Sequence, residues 1–193
     1  MIRLDALGWL SGAMQIPSPN CDERPDTSDI SLLVIHSISL PPDREGGPGI
    51  TALFTNSMDP ACDPYFQNIA GFRVSSHALI RRDGGLVQYV PFARRAWHAG
   101  VSAWCGRDRC NDFSIGIELE GTDHSPFSDE QYAVLNRLVD GLVSRYPLTH
   151  VVAHSDIAPG RKTDPGPFFD WLRLSLSLDA EKKLHKKNRK LLA

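Results

Sequence analysis

Five side chains in this sequence have the types and contexts to hold a metal ion and activate water. His36 closes an apolar run, Ser31–His36 (SLLVIH), and opens into a polar loop. His154 closes Val151–His154 (VVAH) in the same way, and Asp164 lies ten residues further on in the Pro/Gly-rich stretch APGRKTDPGP. Two imidazoles at strand ends and one loop carboxylate make up a three-ligand set with room for water, the composition of a catalytic zinc site. A satisfied structural histidine is the alternative at each position. Glu118 sits in SIGIELE among the polar residues that alternate with isoleucines, where a general base would take a proton from attacking water. Lys162 lies two residues before Asp164, on the same side of an extended segment, and could neutralise a developing oxyanion. A strand-face glutamate and a loop cation are the plain alternatives.

These residues need strand ends to converge on. The continuous apolar run of Ser31–His36 predicts a strand buried on both faces. Ser76–Arg81 and Leu86–Val90 flank Arg82-Asp83-Gly84-Gly85, which predicts a hairpin whose Asp-Gly pair supplies positive φ angles. Ser114–Glu120 alternates, with Ile115, Ile117 and Leu119 on one side and Ser114, Gly116, Glu118 and Glu120 on the other. A helix is predicted over Asp129–Arg145, with a capping box of Ser128 and Gln131 and an apolar stripe of Leu135, Leu138, Val139 and Leu142. Pro147 ends it. A second helix is predicted over Phe168–Leu178. This inventory predicts an α/β (α+β) fold, a mixed central sheet flanked by helices.

The 193 residues suit one domain over 1–180, followed by a basic tail over 181–193 expected to be disordered. The tail holds six basic residues and one acid, and its removal leaves 15 basic against 22 acidic residues, a net of −7. The whole chain has a net charge of −2 and so no general attraction to nucleic acid. No apolar run is long enough to span a membrane. The N-terminus makes a poor signal peptide, with Asp5 and Gly8 interrupting its apolar stretch, which predicts a cytoplasmic location. In that reducing compartment Cys21, Cys62, Cys105 and Cys110 are expected as free thiols. A cysteine hydrolase pairing Cys105 or Cys110 with His98 is a competing reading of the same composition.

Three ordered stretches carry a family resemblance. They are LLVIHSISLPP, FRVSSHALIRRDGGLVQYVPFARRAWHAGVSAWCGRDRCNDFSIGIELEGTD and AHSDIAPGRKTDPGPFFDW, within Leu7–Trp171. Together they resemble the AmpD-type 1,6-anhydro-N-acetylmuramyl-L-alanine amidases, cytoplasmic enzymes of cell-wall recycling. These belong to the zinc N-acetylmuramoyl-L-alanine amidase superfamily, shared with phage lysozyme-type amidases and peptidoglycan recognition proteins. The resemblance implies that fold, one Zn2+ per chain and a small muropeptide substrate. It implies His36, His154 and Asp164 as metal ligands, and Glu118 and Lys162 as the catalytic pair. Arg73 and Arg109 would hold stem-peptide carboxylates, and Trp97 would line the sugar side. Ser37 stands where close relatives are expected to carry Asn, and Gly49 where an aromatic often appears, so both bear on substrate contacts. His77 and His98 fall in family motifs and neither is assigned to zinc; His77, inside a strand, is expected as a buried, hydrogen-bonded histidine. The resemblance further implies a monomer and an influence on β-lactamase induction. A non-catalytic muropeptide-binding module is the alternative it allows, marked by loss of a ligand.

Overall fold

The computed structural model describes residues 2–174 together with 185 and 186. In chain order the elements are β1 (Met14–Gln15), β2 (Cys21–Asp22), β3 (Leu32–Ile38), α1 (Gly49–Phe54), α2 (Phe66–Ile69), β4 (Ala78–Ile80) and β5 (Leu86–Gln88). Then come β6 (Arg95–Ala96), β7 (Ala103–Trp104), β8 (Arg107–Asp108), a 3-10 turn (Cys110–Asp112) and β9 (Ser114–Glu120). The chain continues through α3 (Asp129–Arg145), β10 (His150–Ala153), α4 (His154–Ile157) and β11 (His185–Lys186). Seven strands form one mixed sheet in the order β1-β5-β4-β9-β3-β10-β11. Only the β4–β5 pair is antiparallel within it.

The alternation along β3 and β9 divides the sheet into two unlike faces. Leu33 and Ile35 join Ile115, Ile117 and Leu119 in a cluster with Leu135, Leu138, Val139 and Leu142 of α3. Each such fully buried aliphatic stabilises the fold by about 1.5–3 kcal/mol, so this face is a continuous dry layer. The opposite face carries two separate clusters. One gathers Leu53, Phe54, Phe66 and Ile69 of α1 and α2 with Leu79, Val87 and Tyr89. The other joins Leu32, Val34 and Val152 to Ala99, Phe113 and Ile157. His36 of β3 and Glu118 and Glu120 of β9 fall on this second face, towards the C-terminal ends of parallel strands, where ligands characteristically bind in open α/β sheets.

α3 has the predicted bounds and its capping box. Ser128 Oγ accepts from the Gln131 amide at 3.1 Å, and Gln131 Oε1 accepts from the Ser128 amide at 3.0 Å. Gln131 Nε2 also donates to the carbonyls of Ile80 and Glu120, pinning the helix start to the sheet. The hairpin forms with one change. Only Gly84 takes positive φ (80°), because the turn is closed by Gly84 N donating to Arg81 O and Arg81 N donating to Gly85 O, a longer loop than an Asp-Gly two-residue turn. The predicted helix from Phe168 does not form. Residues 168–174 are turns, held locally by Asp170 Oδ1 accepting from Leu172 N and by Tyr132 Oη accepting from Asp170 N, bonds that replace a helical ladder. The remainder of that helix, 175–178, and the basic tail apart from 185 and 186, lie outside the described residues.

β4 starts two residues later than the sequence pattern suggests, for an electrostatic reason. Before Ala78 the backbone gives the edge of β9 one more bond, His77 N to Gly116 O at 3.1 Å, and side chains supply others: His77 Nδ1 accepts from Gly116 N at 3.0 Å, and Arg24 Nη2 donates to Ser114 O at 2.7 Å. His77 is fully buried, and Arg24, itself lowered to about 10 by burial, reaches four backbone carbonyls. Both are sheet-completing residues.

Candidate active site

Parallel register delivers the first two groups. His36 on β3 stands directly opposite Glu118 on β9, and Ile35 stands opposite Ala153 of β10, so His154, the next residue of that chain, arrives beside His36. After α4 the chain returns, with Ser155 N donating to Asp164 O at 3.1 Å, and this places the Asp164 carboxylate against both histidines. His36 Nδ1, His154 Nδ1 and Asp164 Oδ2 form a triangle with sides of 3.0, 3.0 and 3.1 Å.

Three potential lone-pair atoms converge closely enough to share one cation. The second nitrogen of His154 assigns its tautomer. His154 Nε2 lies 3.2 Å from the Ala99 carbonyl, an acceptor only, so Nε2 carries the hydrogen and Nδ1 offers its lone pair to the triangle. Tetrahedral zinc, with bonds of about 2.0–2.2 Å, sets its ligand atoms about 3.3–3.5 Å apart, within a few tenths of an ångström of these distances. The donor set therefore fits a divalent metal ion, and His36, His154 and Asp164 are the residues that could hold one. Burial lowers the pKa of His36 to about 4 against the opposing hydrogen bond of Asp164, which keeps the imidazole neutral for ligation. For Asp164, burial pushes upward, but the hydrogen bonds with His154 and His36 outweigh it and hold the carboxyl well below the ordinary range.

Glu118 faces the same space. It is 8% exposed, and its Oε2 is buried without a hydrogen-bond partner. Burial, then the charge of Asp164, raises its pKa well above the ordinary glutamate value, with Lys162 pulling the other way. Such a carboxylate is a proton acceptor tuned towards neutral pH. Lys162 is exposed at the end of α4's loop, close enough for its charge to be felt by both Glu118 and His36.

A groove of about 580 Å³ opens over these groups. Its wall includes Ser37, Trp97, His98 and Lys162, together with Tyr65 and Phe72 on one flank and Thr122–His124 on another. Residues 26–167 match the family described as N-acetylmuramoyl-L-alanine amidase. The chain belongs to that amidase family.

Individual relatives agree. The 1,6-anhydro-N-acetylmuramyl-L-alanine amidase AmpD of Citrobacter freundii is 60% identical over 168 residues, 86% of this chain and 90% of that one. A crystal structure of a selenomethionine AmpD derivative superposes with a TM-score of 0.87 at 59% identity, covering 89% and 97% of the two chains. The AmiD amidase of E. coli, solved with anhydro-N-acetylmuramic acid-L-Ala-D-γ-Glu-L-Lys, gives a TM-score of 0.56 at 31% identity, covering 90% of this chain and 64% of that one.

Within this amidase the remaining candidates are dispersed. Trp97 is half-buried in the groove wall. Arg73 is exposed just beyond α2, its Nη1 donating to the carbonyls of Ala70 and Phe72. Arg109 is exposed, with φ of 60° and its Nε 3.2 Å from Asp112. Neither arginine lines the groove. Gly49 begins α1 against the Leu40 carbonyl, where an added Cβ would lie 2.5 Å from that oxygen, so no aromatic fits this backbone. All four cysteines are free. Both ring nitrogens of His98 are taken, by His36 and Ser114, and burial pushes the Cys110 thiol up, which leaves no activated thiol pair. The sequence assigns His98 a role only in the competing thiol reading and assigns Gly116 none; their signal was a histidine in AWHAG and a glycine inside an alternating strand. Among the described residues no helix is long and apolar enough to cross a membrane.

Proposed function

We propose that this amidase hydrolyses the bond between the lactyl carbonyl of an (anhydro-)N-acetylmuramic acid and the L-alanine nitrogen of a small muropeptide, with one zinc ion per chain. The observation that carries the reading is the buried, unpartnered Oε2 of Glu118 beside the His36–His154–Asp164 triangle. AmpD, named for this activity, covers most of the chain, and AmiD has been solved with such a substrate.

His36, His154 and Asp164 would hold a zinc ion, which would supply Lewis acidity and make hydroxide available near neutral pH. Glu118 receives the proton of the attacking water at Oε2 and returns it to the departing alanine nitrogen. Its raised pKa suits both transfers. Lys162 Nζ offsets the negative charge that forms on the former carbonyl oxygen, a contribution of about 3 kcal/mol for comparable donors. Trp97 on the groove wall is assigned to the sugar end, and Ser37, also on the wall, to a substrate contact. Arg73 and Arg109 are assigned to the stem-peptide carboxylates, outside the groove proper, for which bidentate guanidinium is suited.

The three hydrophobic clusters share one sheet, which supports a single amidase domain over residues 1–180. Action as a monomer is proposed on the AmpD-type resemblance alone. The AmpD likeness supports a cytoplasmic role in cell-wall recycling, with influence on β-lactamase induction where that circuit operates. Mass spectrometry of an anhydro-muramyl tripeptide incubated with zinc-loaded protein tests the reading. Free tripeptide and anhydro-sugar acid are expected, both abolished by a chelator. Intact substrate bound stoichiometrically by the zinc-loaded protein would identify a binding module instead.

A further inference from the structure

One buried cluster beside the site has no role so far. His98 is 9% exposed, with Nδ1 2.9 Å from His36 Nε2 and Nε2 3.2 Å from Ser114 Oγ. Its ring lies flat in a notch on β9. A Cβ added to Gly116 would sit 2.4 Å from His98 Cγ and 2.5 Å from Nδ1, distances no side chain tolerates. Gly116 is two residues before Glu118 on the same strand face and pairs with Val34, two residues before His36. The missing side chain therefore leaves the space from which the His98 ring reaches the far nitrogen of His36.

The backbone here is also fixed. Asn111 Oδ1 accepts from His98 N at 3.1 Å and from Ala99 N at 2.8 Å. The adjacent carbonyl, Ala99 O, accepts from His154 Nε2. The dipeptide His98-Ala99 thus touches the outer nitrogen of both histidines of the triangle, one through a side chain and one through a carbonyl. Hydrogen direction follows from single protonation of a neutral imidazole. If His36 Nδ1 gives its lone pair to a cation, Nε2 carries the hydrogen, His98 Nδ1 accepts it, and His98 Nε2–H donates to Ser114 Oγ. The reverse direction places a hydrogen on His36 Nδ1, where the cation must sit.

We infer that His98, seated in the notch left by Gly116, is a positioning residue that orients His36 towards the metal by accepting its Nε2–H. The inference rests on the metal-site reading above. Outer partners of this kind typically change metal affinity by about 10–100-fold. The probe is zinc itself, titrated into the full chain against a chromophoric chelator. His98→Ala is expected to weaken zinc by about 10–100-fold. His98→Asn, which keeps an acceptor oxygen near the Nδ1 position, is expected to recover most of that loss. Gly116→Ala, with the histidine intact but displaced, is expected to match His98→Ala. The double variant should bind no worse than either single one and should unfold at higher temperature than Gly116→Ala, because removing the ring removes the clash. In zinc-loaded wild-type protein, long-range 1H–15N spectra should place the hydrogen of His36 on Nε2.

Folded His98→Ala binding zinc within about twofold of wild type would overturn the inference, since even the weak end of outer-partner effects exceeds that. So would losses in the double variant equal to the product of the singles. Should Gly116→Ala fail to fold, the His98→Ala and His98→Asn pair decides alone. Asp164→Ala separates the two levels: if it too retains zinc, the metal-site reading fails; if it loses zinc while His98→Ala does not, only the role of His98 fails.

Discussion

Glu118→Gln should disable the enzyme while making the metal-free fold more stable. The substitution is nearly isosteric and removes only the ability to take a proton at Oε2. General-base catalysis is worth about 10²–10⁴-fold, or about 2.7–5.4 kcal/mol at 1.36 kcal/mol per decade, and kcat/KM should fall by that amount. Zinc should stay bound, because His36, His154 and Asp164 are untouched. The stability effect has a definite sign. Burial raises the folded pKa of Glu118 above the unfolded value of about 4.3, so the folded state binds more protons than the unfolded state between those two values. Wild-type stability must then fall as pH rises through that window, whereas a glutamine does not titrate. The metal-free variant should therefore melt above metal-free wild type at neutral pH, and the gap should close as pH drops towards about 4. Product release followed by chromatography, zinc content by mass spectrometry and melting curves at several pH values together read all three effects. Activity within tenfold of wild type would refute the base assignment. Loss of zinc along with activity would show that Glu118 acts through the metal site instead.

Other perturbations separate chemistry from scaffold. Asp164→Ala removes the one anionic corner of the triangle and should abolish stoichiometric zinc in a dialysed sample, with activity lost in parallel. Gly49→Tyr drives a Cβ into the Leu40 carbonyl and should cost about 1–3 kcal/mol, seen as a lower midpoint in urea. Ser128→Ala deletes the cap of α3 and should cost about 1 kcal/mol, a melting shift of about 2–4 °C with kcat unchanged, since α3 lies on the face away from the groove.

The chemistry was legible in the sequence where residues broke the local pattern: polar groups ending apolar strands, and a glutamate alternating with isoleucines. α3 was legible because cap, stripe and terminating proline agreed. What could not be read was supplied by distant chain. The turns over 168–174 arise from Tyr132 and Asp170 bonds that compete with a helix, and no local propensity encodes them. β4 starts late because a histidine ring and Arg24 complete its neighbour's edge. His98 carried no periodic signal at all; its place is defined by a glycine 18 residues away that contributes only empty space.

Register is the variable that ties the dry face to the wet one. Along β3 and β9, side chains alternate strictly, so the pairing that buries Ile35 beside Ile117 under α3 also sets His36 beside Glu118 on the other side. A one-residue slip of either strand would turn its aliphatics into the groove and its catalytic residue under the helix. The aliphatic layer beneath α3, each member worth about 1.5–3 kcal/mol, therefore does more than hold the sheet together. It sets the strand alignment from which His36, Glu118 and the notch at Gly116 all take their positions.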